Sequence, residues 1–219
     1  MVPMRGMTTR SREIGQLRTG LALLALLLTA LPLVASLSMA GCGPQERFNG
    51  EVVEPQGESL ELVGTNWNGE PFRLADLQGK VAVVFFGYTY CPDICPLTLF
   101  KMKQIYTDLG ERAGEVAIVF VSVDPGRDSV AKLAEYVPGF DPRFYGVLPD
   151  SMEATREEFD LTVSYSQPKE GPNSNSFYYV DHTGTLFLFD RQGRLRLTHP
   201  TKAPVERLVP DIERLLQAS

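Results

Sequence analysis

Residues 81–100 read VAVVFFGYTYCPDICPLTLF, and the rest of the fold can be worked outward from them. Val81–Phe86 is a continuous apolar run, the pattern of a strand buried on both faces. A loop with two cysteines and two prolines follows. Were a helix to begin at Pro92, Pro96 would sit one turn inside it and clash with the carbonyl of residue 92. Pro96 also biases Cys95 away from helical angles. The predicted helix therefore runs Pro96–Leu109, with Cys95 at its N-cap and Cys91 in the preceding loop. A thiol in that position faces unpaired N–H groups and the positive end of the helix dipole, which favours thiolate. Thiolate is both nucleophile and metal ligand, so the loop alone leaves redox and metal chemistry open. The C-x-x-x-C spacing gives a wider bite than C-x-x-C, yet it closes to a disulfide if the Cβ atoms approach to about 4 Å. An inert bridge over so short a loop would stabilise little.

Outward from this stretch, Val116–Val123 reads as a second buried strand. Leu60–Val63 and Phe72–Leu74 flank the turn signal Asn68-Gly69 and read as a hairpin. Ser129–Val137 is a predicted helix capped by Asp128 or Ser129. Ser151–Phe159 is another, with Asp150 and Glu153 at capping-box spacing. Phe177–Val180 and Leu186–Phe189 read as strands joined by the turn DHTGT. Pro204–Leu216 closes the chain as an amphipathic helix in which Pro210 predicts a kink or a late start. Residues 164–176 (SYSQPKEGPNSNS) read as a mobile loop leading towards the strand that carries His182, either ordered by metal binding or simply a variable surface loop. Alternating buried strands and helices predict an α/β sandwich with a central mixed sheet. A strand leading into a cysteine loop and then a helix is the thioredoxin-like (peroxiredoxin-like) arrangement.

The chain has 219 residues, 22% charged and 43% hydrophobic, which excludes collagen-like, largely disordered and multi-pass membrane classes. A net charge of −6 argues against a general nucleic-acid binder. The charge is uneven: up to residue 41 there are four arginines against Glu13, a net +3, so the remainder carries −9. Leu21–Ser38 is mostly apolar and uncharged. A basic stretch, an apolar stretch and then Met39-Ala40-Gly41-Cys42 read as a secretory signal resembling a bacterial lipobox, with Cys42 as the lipidated residue. Met39 stands where Leu, Val or Ile is usual. The alternative is an uncleaved signal anchor, for which Pro32 is awkward. Either reading places residues from 43 onward outside the cytoplasm, and Ser11 between Arg10 and Arg12 argues against a twin-arginine signal. The expected organisation is a signal peptide over 1–41, a tether over 42–57 and one domain over 58–219. Cys91 and Cys95 then lie in an oxidising compartment, as a structural disulfide, a redox pair or a metal pair.

Two histidines are available. His199, beside Pro200, reads as a surface or capping residue. His182, in the DHTGT turn, is open between a solvated side chain and a ligand. Two thiolates and one imidazole fall short of a structural zinc site, which takes four protein ligands. They suit three-coordinate Cu(I), and hold Cu(II) with an added water or carboxylate. Met102 is seven residues beyond Cys95, roughly 10 Å along a helix, and reads as core. Asp93, Asp124 and Asp181 are candidate outer-shell groups or, more simply, turn and cap residues.

Three separated blocks resemble the SCO/SenC family of copper chaperones for cytochrome c oxidase: Gly87–Pro96 with its C-P-D-I-C-P loop, Val121–Asp128 (VSVDPGRD), and Val180–Thr183 (VDHT). Gly126 and Thr183 occupy variable positions of the pattern. The resemblance spans roughly 58–217 and implies a thioredoxin-like fold, copper ligands at Cys91, Cys95 and His182, and delivery of copper to the CuA site of oxidase subunit II. Some members of the family also reduce the cysteines of that site. Another copper chaperone or a thiol reductant would be a second class of partner. The stretch HTGTLFLFD lacks the cis-proline of thioredoxin-like reductants, which favours copper over plain thiol exchange. A thiol–disulfide oxidoreductase on the same cysteines is the rival reading. A peroxidase would pair Thr89 with an arginine, and none is recognisably placed.

Overall fold

The computed structural model describes residues 47–53, 59–166 and 178–218. Cys42 and the proposed signal therefore lie outside the described residues, as does most of the 164–176 stretch. The compact unit that holds all of the elements spans Phe48–Ser219.

The strands are β1 (Glu51–Val52), β2 (Val63–Asn66), β3 (Pro71–Arg73), β4 (Val81–Gly87), β5 (Val116–Ser122), β6 (Tyr145–Pro149), β7 (Val163–Tyr165), β8 (Val180–His182), β9 (Thr185–Phe189) and β10 (Leu195–Pro200). The α-helices are α1 (Ile94–Leu109), α2 (Val130–Tyr136), α3 (Met152–Glu158) and α4 (Val205–Gln217). Eight strands form one sheet in the order β1-β10-β9-β4-β5-β6-β2-β3. The pairs β4–β5 and β5–β6 are parallel and the others antiparallel, so the sheet is mixed, as predicted. β7 and β8 form a separate two-stranded sheet.

The central strands explain the compactness. Every residue of β4 and β5 is buried, so both faces of the sheet are covered there. Phe85, Phe120 and Phe189 from the strands pack in one core with Leu99, Met102 and Ile105 of α1. Each such side chain contributes roughly 1.5–3 kcal/mol by leaving water. Phe86, Phe159 and Phe187 meet edge to face, with centroids 4.9–5.7 Å apart. Met102 is core, as expected.

Several local expectations shift. α1 begins at Ile94, with Asp93 as N-cap, so Cys95 lies in the first turn rather than at the cap. The helix tolerates Pro96 because first-turn N–H groups have no intrahelical partner to lose. Ser129 caps α2 by accepting from Lys132 N. Ser151, not Asp150, caps α3, accepting from Ala154 N at 3.2 Å. α4 is one element with Pro210 inside it. The hairpin strand is Val63–Asn66 rather than Leu60–Val63, with Gly69 at φ +86° in its turn. β8 is Val180–His182, so His182 ends a strand instead of occupying a turn. Ser164 and Tyr165 belong to β7. Among the described residues, no helix is long and apolar enough to cross a membrane.

Candidate metal centre

The parallel strands deliver the thiol loop to one end of the sheet. β4 ends at Gly87, the loop turns with Cys91 N donating to Tyr88 O (3.2 Å), and α1 begins. Gly87 is demanded by what passes over it. A Cβ there would lie 2.7 Å from the Phe120 ring and 3.0 Å from Cys95 Sγ. β9 runs antiparallel to β4, with Leu186 opposite Phe85, so the segment before β9 returns to this same end. That segment carries His182.

The three predicted residues come near one another there, although among the described residues no three Cys, His, Asp or Glu side chains are drawn together closely enough to hold a metal ion as they stand. Cys95 Sγ is 4.0 Å from His182 Nε2, across 87 residues of sequence. Cys95 N donates to Cys91 Sγ at 3.4 Å. Both thiols are free; Cys95 is fully buried and Cys91 partly exposed. His182 Nδ1 lies 3.2 Å from the Thr183 carbonyl. A proton on Nδ1 donated to that carbonyl leaves the Nε2 lone pair facing the thiols, the usual backbone orientation of a ligating imidazole. Tyr88 packs edge-on against the His182 ring, with centroids 6.1 Å apart, and its hydroxyl accepts from Val180 N.

The two thiols are electronically unequal. Cys91 is held down to about 5, chiefly by a hydrogen bond from the Cys95 thiol, with the Asp93 and Cys95 N–H groups and His182 assisting against burial. Cys95 is pushed up, first by donating that bond and then by burial. In the metal-free protein Cys91 is thus the thiolate and Cys95 the thiol. Only deprotonated sulfur ligates, so a metal held by both sulfurs would have to displace the Cys95 proton.

The other candidates scatter. Asp93 is exposed at the α1 N-cap and Asp181 is exposed in β8. Asp124 is buried but bonded to Arg127 Nε (2.6 Å) and the Tyr178 hydroxyl (2.6 Å). His199 is no surface residue. It is buried in β10, with Nε2 2.9 Å from Asp211 Oδ2 on α4. Two features of the VSVDPGRD block escape a reading by spacing. Asp128 accepts from Thr89 N and Oγ1 and from Ser122 Oγ, which fixes the thiol loop to β5. Arg127 does lie beside that loop, 5.1 Å from the Tyr90 ring centre. Its position in the block was visible; its reach to Tyr178, 51 residues away, was not. Tyr90 and Ile94, which adjoin the two cysteines in the chain, are exposed, and so are Leu97 and Phe100 farther along α1.

The SCO1/SenC family model matches residues 54–217. An SCO2-like protein of Rickettsia felis is 33% identical over 138 residues, covering 63% of this chain and 66% of the relative. The chain thus spans just under two thirds of that relative's length. ScoI of Bradyrhizobium japonicum, solved with copper bound, is 31% identical with a TM-score of 0.65, covering 73% of this chain and all of that one. Apo Sco1 of Thermus thermophilus is 34% identical with a TM-score of 0.68, covering 80% of this chain and all of that one. A family model that covers most of the chain, on the same thioredoxin-like mixed sheet, settles its kinship: the protein belongs to the SCO1/SenC family.

Proposed function

We propose that the protein is a membrane-tethered, extracytoplasmic copper chaperone that serves cytochrome c oxidase assembly. Cys91, Cys95 and His182 hold one copper ion as its cargo, and the CuA site of oxidase subunit II is the acceptor. The observation that carries this reading is the 4.0 Å approach of His182 Nε2 to Cys95 Sγ beside the second thiol. Thiol exchange can run on the two sulfurs alone, whereas a three-ligand copper site needs that imidazole. Kinship with a copper-bound ScoI supports the choice of metal, as does the soft donor set. The partly exposed Cys91 is the ligand an incoming protein reaches first, so release proceeds by exchange of that sulfur. The exposed apolar side chains around the loop suit docking to another protein. Lipidation at Cys42 would raise the effective concentration near a membrane-embedded acceptor.

The test is copper binding by the reduced protein, beside Cys91→Ser, Cys95→Ser and His182→Ala. One copper per wild-type chain and a sharp loss of affinity in each variant, with an unchanged far-ultraviolet spectrum, is the expected result. Wild-type stoichiometry and affinity in all three overturns it. One observation favours a second activity, thiol–disulfide reduction of the acceptor: an accessible thiolate beside a buried thiol is the arrangement of an attacking and a resolving cysteine. Reduction that persists undiminished in His182→Ala would assign turnover to the thiols alone.

A further inference from the structure

β8 is weakly held by its own sheet. Its strand partner is β7, three residues long, and so short a two-stranded pairing is marginal alone. What places His182 must therefore come from tertiary contacts. Asp124 is fully buried, with Oδ2 accepting from Arg127 Nε and Oδ1 from the Tyr178 hydroxyl, both at 2.6 Å. Arg127 Nη1 donates to the Tyr178 carbonyl at 2.8 Å, and the guanidinium carbon stacks 3.5 Å from the centre of the Tyr178 ring. The same guanidinium lies 5.1 Å from the Tyr90 ring and 5.6 Å from the Tyr88 ring. Tyr90 immediately precedes Cys91, and Tyr178 lies shortly before His182. One side chain thus touches the thiol loop on one side and the lead-in to the imidazole strand on the other.

We propose that Arg127, braced by Asp124, is a positioning residue of the metal centre: it locks the start of β8 against the thiol loop and thereby sets the reach of His182 Nε2 to the thiols. This inference rests on the three-ligand copper reading above. The role needs an arginine. Its planar fork donates to a carboxylate and a carbonyl at once while its face stacks on an aromatic ring, and a lysine ammonium cannot do all three. The competing account is that Arg127 merely supplies positive charge near thiolates, which a lysine would also do.

The experiment measures Cu(I) affinity, by competition with a chromophoric chelator, for wild type, Arg127→Met and Arg127→Lys, each with and without His182→Ala. Amide hydrogen exchange of the metal-free proteins is followed at Val180–Thr183. Both Arg127 variants are expected to bind copper about 10–100-fold more weakly, the range for a lost ligand-orienting partner. His182→Ala should add little in either background, because the imidazole is already out of reach, and exchange at Val180–Thr183 should quicken without copper. A full His182→Ala cost that persists beside Arg127→Met overturns the clamp, since independent sites add. Wild-type affinity in Arg127→Lys overturns it in favour of charge. Should Arg127→Met fail to fold, Tyr178→Ala removes both the ring under the guanidinium and the hydroxyl bond to Asp124; unchanged exchange and affinity there also overturn the clamp. A His182→Ala that costs nothing beside wild-type Arg127 overturns the three-ligand reading itself, and the exchange data then judge the clamp separately.

Discussion

Thiol chemistry at this site is set residue by residue. Cys91 and Cys95 are four apart across the junction of loop and helix, and burial and a hydrogen bond between them divide them into thiolate and thiol. In the reduced, metal-free protein, iodoacetamide should modify Cys91 well before Cys95. Because Cys91 is lowered to about 5, its rate should rise through that pH and level off by neutrality. Peptide mapping across a pH series checks this; a midpoint near the free-thiol value of about 8.5 would refute it. Gly87 carries a second expectation at this scale. In Gly87→Ala the new methyl would press on the Phe120 ring and Cys95 Sγ, at 2.7 and 3.0 Å. Overpacking of this kind costs about 1–3 kcal/mol, readable as a lower urea midpoint. Both residues lie within the predicted strand–loop–helix stretch, but the asymmetry between the thiols depends on which of them the core covers.

Among the elements, the β9–β10 hairpin shows how a turn is fixed by one carboxylate. Asp190 is buried and accepts from Gln192 N, Arg194 N, Arg194 Nε and Arg196 Nη1. Burial pushes its carboxyl up, but Arg194, through side chain and backbone N–H, and Arg196 outweigh that and hold it below the usual range. The charge therefore stabilises the fold above the unfolded carboxyl pKa of about 3.9, and the contribution is lost as pH falls through the lower folded value. Asp190→Asn should cost about 1–3 kcal/mol at pH 7. Denaturation curves should show the gap from wild type closing in acid; a gap constant down to pH 2 would contradict the assignment. β6 is the element that propensity hid. Tyr145–Pro149 contains Gly146 and Pro149, both turn signals. Gly146 is there because a Cβ would lie 2.7 Å from Val137. Close packing of α2 and the following turn on that strand chose the residue, and only the packed structure reveals it.

At the scale of the whole molecule, Asn49 and Gly50, just ahead of β1, are fastened to the last helix. Asp211 on α4 is fully buried and accepts from Asn49 N, Gly50 N, Asn49 Nδ2, Arg214 Nη1 and His199. β1 then pairs with β10 at the sheet edge. Asp211→Ala strips the buried partners of their acceptor and should cost about 3–5 kcal/mol, with faster hydrogen exchange over 49–53. Copper stoichiometry should be untouched, because the pair lies outside the donor set. Gly50→Val should act alike, since a Cβ there would lie 2.4 Å from His199 Nε2. The sequence by itself determined the β4–loop–α1–β5 frame and the pairing of thiols at a helix start. Those signals are local: apolar runs long enough for doubly buried strands, and prolines that restrict where a helix begins. Sequence neighbours leave His182 open between a solvated side chain and a ligand until the motif resemblance points to it, and His199 reads as a surface or capping residue. Strand order is what carries the one to the thiols and buries the other. The antiparallel return of β9 brings His182 back to the thiol end, while β10 turns His199 inward to Asp211. The clamp through Arg127 and Tyr178 was equally out of reach, because contacts 51 and 87 residues apart exist only after the sheet has assembled.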